Sequence, residues 1–307
     1  SSAAGPVEPP TFMRIPATLR RLVGPCELIH DQAGPRLLRL VRRGIFALWI
    51  VKLLLDPLWR LAQLPAELIQ PAGVTAWLSP ERTPFLWSAS GLTALWLATL
   101  LVLAVALTGR VFAPVATIAA VLLTIYSSVI RSFGPAVHTD IVLLLAVYAL
   151  ALFAWADVAQ RRRAPARAEV SGSSAPLVTI VTLLCLTYCL VGLNRALVSP
   201  QTFTGNSMEV WTIDASLRAY YFNTGIGWHL PDWPAAVFFL RLGLPVVTLF
   251  EITAPLCLVW ARYRWIFLLV MIPFHLLSLV LMNIFFFDDL LLYLLLVDWS
   301  RRFSGLR

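Results

Sequence analysis

Apolar residues in this chain come in long runs, not in alternation with polar ones. Six runs are nearly uninterrupted, at about 86–108, 111–130, 139–156, 176–198, 234–261 and 265–285. A seventh, at 44–64, contains Lys52, Asp56 and Arg60. An eighth, at 286–299, is broken by Asp288 and Asp289 and reads as tilted or partly re-entrant. A helix needs about 20 apolar residues to cross a hydrocarbon core. A membrane β-barrel would instead show alternating segments of about 10 residues. The pattern therefore predicts an all-α, polytopic transmembrane helical bundle of about eight membrane segments. A transmembrane domain over 44–299 is flanked by a basic tail, 1–43, and a short tail, 300–307. It contains a polar linker at 157–175 and a long outer loop at 199–233. Within that loop, DASLRAYYFNTG predicts a short helix begun by Asp214 and stopped by Gly225, placed to cover a cavity.

Composition narrows the class. Of 307 residues, 59% are hydrophobic and 13% charged, against about 45–50% and 25% in soluble domains. That excludes an ordinary soluble enzyme and, for most of the length, a disordered chain. No apolar stretch precedes residue 44, so no cleavable signal is expected there. The net charge of +8 is carried by 23 Arg and one Lys. With the N-terminus inside, 17 of these fall on cytoplasmic segments: Arg14, Arg20, Arg21, Arg36, Arg39, Arg42, Arg43, Arg110, Arg161, Arg162, Arg163, Arg167, Arg262, Arg264, Arg301, Arg302 and Arg307. Only Arg82, Arg131, Arg195 and Arg218 fall outside. This bias predicts both termini in the cytoplasm. The basic charge is thus a topology signal, and no nucleic-acid motif accompanies it. The partners expected are membrane lipids and, within the membrane, another protein. Most Trp residues lie near span ends, as an interfacial belt requires. Cys26, Cys185, Cys189 and Cys257 show no zinc-ligand spacing, and no metal site is expected.

Polar groups inside a membrane cost roughly 2.5–3.5 kcal/mol on insertion scales and are candidate functional residues. Lys52, Asp56 and Arg60, four apart, read as an ion ladder on one helix face. His138 and Asp140 open the fourth span at its outer end, and Asn194 and Arg195 close the fifth. Glu251 lies within the sixth span, His275 midway along the seventh with Asn283 nearer its outer end, and Asp288 starts the eighth. Several spans thus aim polar residues at the outer half of the membrane, which suits a cavity open to that side. His138, His275 and Glu251 are the acid–base candidates. Arg195 is the candidate anion anchor, and Asn194, Asp140, Asn283 and Asp288 are candidate ligand contacts.

Five stretches carry a resemblance. RLAQLPAELIQPAGVTAWL, SFGPAVHTDIVLLLAVYALALFAWAD, YCLVGLNRALVS, DASLRAYYF and IPFHLLSLVLMNIFFFDDLLLYLLLVDW resemble, in order, segments of the HTTM group of bacterial membrane proteins. That group is related to the membrane part of vitamin K-dependent gamma-carboxylase. The resemblance spans about 36–303 and implies a bacterial inner-membrane protein with a site toward the extracytoplasmic side. It implies a quinone or reduced vitamin K-like molecule as cofactor. In the animal carboxylase, oxidation of reduced vitamin K to an epoxide generates the base that deprotonates a peptide glutamate, to which carbon dioxide adds. His138 and His275 match histidines of the family. The family's Gly-x-Lys-Lys sequence falls on Gly192-Leu193-Asn194-Arg195. An arginine is protonated at all relevant pH and cannot serve as the lysine base, which argues against classical glutamate carboxylation. Binding of a quinone, lipid or other amphipathic ligand is the first reading. A non-catalytic membrane scaffold or accessory subunit is the second. A small-solute transporter is the third, disfavoured by the lack of repeat symmetry.

Overall fold

Proline decides where the first helix stops. In the computed structural model, α1 runs Pro35–Leu55 and ends at Asp56, because Pro57 disfavours helical backbone in the residue before it. The structure describes residues 29–30, 34–65, 68–133, 140–163, 174–204, 206–217, 224–284, 286–297 and 299. Leu37, Val41, Ile45, Trp49 and Leu53, each four apart, form the buried face of α1. Side chains from neighbouring elements satisfy two carbonyls at its C-terminal end. Trp96 donates Nε1–H to the Leu53 carbonyl at 2.7 Å, and Tyr126 donates its hydroxyl to the Asp56 carbonyl at 2.9 Å. The chain continues as a 3-10 helix, Leu58–Gln63. The expected ladder therefore does not run along one helix face: Lys52 and Arg60 lie on different helices. Lys52 pairs with Asp288, at 3.3 Å.

Four long helices follow: α2 (Ala89–Thr108), α3 (Phe112–Arg131), α4 (Ile141–Arg163) and α5 (Ala175–Leu197). Ser88 caps α2, its Oγ accepting from Gly91 N at 3.1 Å, and Gly109 ends it with φ +72°. Ala116, Ala119 and Ala120 of α3 and Ala146 and Ala149 of α4 are buried, and these two helices pack on each other. Small residues let membrane helices approach closely. Beyond α5 come α6 (Ser207–Leu217) and a 3-10 helix, Ile226–Asp232. Then α7 (Pro234–Ile252) continues as a 3-10 turn, Ala254–Leu258. α8 spans Ala261–Met282, and the short α9 (Phe287–Leu292) runs into a 3-10 turn, Tyr293–Leu296.

Six of these helices are long and apolar enough to cross a membrane: α2, α3, α4, α5, α7 with its 3-10 extension, and α8. The first and last of the eight expected segments are not among them. α1 carries Arg36, Arg39, Arg42, Arg43 and Lys52 in 21 residues. Phe287–Leu296 rises about 17 Å, roughly half a hydrocarbon core. The outer faces of the six are apolar, with Leu101, Leu152, Phe239 and Leu269 each about two-thirds exposed or more. Such faces belong against lipid. The described residues contain no strand.

The loop helix lies earlier than its sequence suggests. Asp214 sits inside α6, and 218–223 lie outside the described residues. Ser216 donates Oγ–H to the Leu281 carbonyl at 2.8 Å and Thr224 donates to that of Val280 at 2.6 Å, docking this layer on the end of α8. Glu209 of α6 also forms an ion pair with Arg241 of α7. Burial pushes the Glu209 carboxyl up, but hydrogen bonds from Arg241 and the backbone outweigh this and hold it below its usual range. A depressed carboxylate stabilises the fold above its ordinary value of about 4.3, and the contribution is lost as pH falls below it. Hydrogen exchange of the 207–217 amides, corrected for intrinsic rates, is expected to be constant from about pH 8 to 5 and to accelerate below about pH 4.

Candidate functional site

Three helical segments bring their polar side chains to one buried point. α5 contributes Tyr188, α8 contributes His275, and the turn after α9 contributes Tyr293. His275 Nε2 lies 2.7 Å from the Tyr293 hydroxyl and 3.0 Å from that of Tyr188. Tyr293 donates to the Tyr188 oxygen at 2.7 Å. Phe286, Phe274 and Phe267 enclose the group, the first with its ring 4.7 Å from the imidazole. The two shorter contacts are satisfied together when Nε2–H donates to Tyr293 and Tyr293 donates to Tyr188. That tautomer leaves Nδ1 as a lone pair, and Nδ1 is buried with no hydrogen-bond partner among the described residues. In that tautomer the Tyr188 O–H does not donate to Nε2, although its oxygen stays 3.0 Å from it. The arrangement therefore offers a base and a hydroxyl donor inside an aromatic enclosure.

Tyr188 and Tyr293 are absent from the sequence-level candidates. Their signal is a tyrosine in mid-span, because a buried hydroxyl there needs a polar partner.

The other candidates form separate pairs. Arg195, seven residues beyond Tyr188 and hence about 10 Å along α5, donates to Glu251 at 2.5 Å and to the Thr248 hydroxyl at 3.1 Å. Gly192 makes room for this contact: a Cβ there would lie 2.8 Å from Glu251 Cβ and 2.9 Å from Ile252 N. Asn194 is exposed, and its carbonyl accepts from Val198 N and Ser199 N at the end of α5. Asp140 pairs with Arg131. Asp288 is fully buried, with Oδ2 on Lys52 and Oδ1 unpartnered among the described residues. Asn283 takes the left-handed conformation that ends α8, φ 57°, and its Oδ1 accepts from Thr224 N at 2.8 Å. His138 lies outside the described residues. Glu251 and Arg195, expected as acid–base group and free anion anchor, thus meet each other.

Among the described residues no three His, Cys, Asp or Glu converge as metal ligands would. No known family description matches the chain, and neither a curated protein nor a solved structure is found to be similar to it.

Proposed function

We propose that this protein is an HTTM-type membrane protein that holds an amphipathic ligand of the quinone or lipid class beside His275. The observation that carries this reading is the Tyr188–His275–Tyr293 cluster. An unpartnered imidazole nitrogen and a tyrosine hydroxyl inside an apolar, aromatic box match a ligand with an oxygen-bearing ring and a hydrophobic body. His275 would be the acid–base group, with Tyr188 as the hydrogen-bond donor to the ligand oxygen. Both termini in the cytoplasm belong to the same reading and rest on the arginine distribution, and a bacterial inner membrane rests on the resemblance.

The test is binding of a short-chain ubiquinone analogue to the protein in nanodiscs. Tyr188→Phe and His275→Gln are each expected to weaken binding about 3- to 10-fold, the cost of one lost hydrogen bond. Absence of saturable binding by the unmodified protein would overturn the proposal. So would unchanged affinity in both folded variants.

A second reading, a non-catalytic scaffold or accessory subunit, is favoured by the closed Arg195–Glu251–Thr248 set. An arginine already satisfied by a carboxylate and a hydroxyl is a packing element and needs no ligand. Under this reading the quinone analogue finds no site, and purification of the chain with a stoichiometric membrane partner is the expected result.

A further inference from the structure

A groove of about 490 Å³ lies between α6 and α7, and none of the residues around His275 lines it. Its walls are mostly apolar, from Val210, Ile213, Val237 and Phe238, and the Glu209–Arg241 pair closes one end. Phe238 of α7 and Val210 of α6 are more than half exposed, and the apolar outer face of α7 belongs against lipid.

We infer that this groove is a headgroup site for a phospholipid bearing both a phosphate and a primary ammonium, of the phosphatidylethanolamine type. Depth is the first argument. Trp233 immediately precedes α7, and Trp228 stands in the 3-10 helix before it. Both are nearly half exposed, as residues at the headgroup level are. Arg241 lies eight residues, about 12 Å along α7, from Trp233, and its side chain turns to Glu209 of α6.

Charge complementarity is the second. Glu209 engages the Nε and Nη2 atoms of the guanidinium, and the arginine and glutamate side chains are 49% and 12% exposed. Nη1 can donate to a phosphate oxygen. Glu209 Oε2 is 3.5 Å from Nε, so it retains acceptor capacity for an ammonium N–H. The pair thus presents one positive and one negative group beside an acyl-lined wall. A quaternary choline has no N–H to give Glu209, and an anionic glycerol headgroup has no cation for it.

Protein reconstituted in nanodiscs with equimolar phosphatidylethanolamine, phosphatidylcholine and phosphatidylglycerol, then transferred to mild detergent, tests this by native mass spectrometry of retained lipid. Retained phosphatidylethanolamine is expected to exceed each of the others about threefold, in the range of an exposed ion-pair interaction. Glu209→Gln is expected to abolish the preference over phosphatidylcholine, and Arg241→Gln to lower phospholipid retention altogether. Unbiased retention by the unmodified protein overturns the inference, and that measurement needs no variant to fold. Preferential retention of phosphatidylglycerol also overturns it, because the arginine alone would then bind. Unaltered preference in a folded Glu209→Gln protein does the same.

Discussion

Replacing Arg195 by alanine is expected to destabilise the protein by about 3–5 kcal/mol, the cost of stranding one partner of a buried ion pair. The argument rests on exposure and geometry. The arginine and glutamate side chains are 12% and 3% exposed and meet at 2.5 Å. Thr248 adds a second acceptor at 3.1 Å. Glu251→Ala is expected to cost a similar amount by stranding the guanidinium. The double variant Arg195→Met, Glu251→Leu removes both charges and fills the space with apolar atoms. It is expected to recover most of the loss, as apolar replacements of buried pairs often do. Unfolding in mixed micelles by denaturing detergent gives the three numbers of the cycle. Additive losses in the double variant would mean that the two residues act independently. The same double variant separates structure from ligand binding. If the pair is a packing element and the ligand sits at His275, the refolded double variant keeps quinone affinity.

Gly227→Ala is expected to release the outer layer from the membrane bundle, with a loss of about 3 kcal/mol or more at that junction. A Cβ at Gly227 would lie 2.0 Å from the Leu281 carbonyl oxygen and 2.3 Å from Ser216 Oγ. The first of these is backbone and cannot step aside. The hydrogen bond from Ser216 to Leu281 that docks α6 occupies the same point, so the added methyl breaks it. The effect is local: protease sensitivity should rise in 199–233 while the six apolar helices stay folded. Gly243→Ala supplies the contrast. Nothing lies within 4 Å of a Cβ there, so the change is expected to leave the outer layer docked. Alanine's better helix propensity would favour α7 slightly. Equal protease resistance in the Gly227 and Gly243 variants would show that the close approach does not hold the layer.

Much of the fold was legible because it is written in local chemistry. Apolar runs set six of the helices, Ser88 and Gly109 mark the two ends of α2, and Pro57 marks the end of α1. The apolar length of 44–64 predicts a longer first helix than Pro57 permits. The i, i+4, i+8 spacing of Lys52, Asp56 and Arg60 suggests a ladder on one helix face, whereas Pro57 puts Lys52 and Arg60 on different helices. Asp214 suggested an N-cap, yet α6 begins at Ser207 because its apolar residues pack between α7, α8 and the 3-10 helix of Ile226–Asp232. That packing outweighs a cap worth about 1 kcal/mol.

The candidate site was legible only as a set of residue types. Sequence marked His275, Glu251, Arg195, Asp140 and Asp288 because each is costly in a hydrocarbon environment, a property of the residue and its run. It could not say which of them meet. Tyr188 and Tyr293 are 105 residues apart, and Lys52 and Asp288 are 236 apart. Helix order along a chain does not determine which faces touch. By itself, then, the sequence determined that this is a membrane-embedded helical protein, where its apolar helices lie and which polar groups need partners. The tertiary structure alone decided the partners, joining Arg195 to Glu251 and enclosing His275 between two tyrosines. The physical reason is that crossing a bilayer depends on the composition of one segment, whereas satisfying a buried charge depends on what a distant segment places within 3 Å of it.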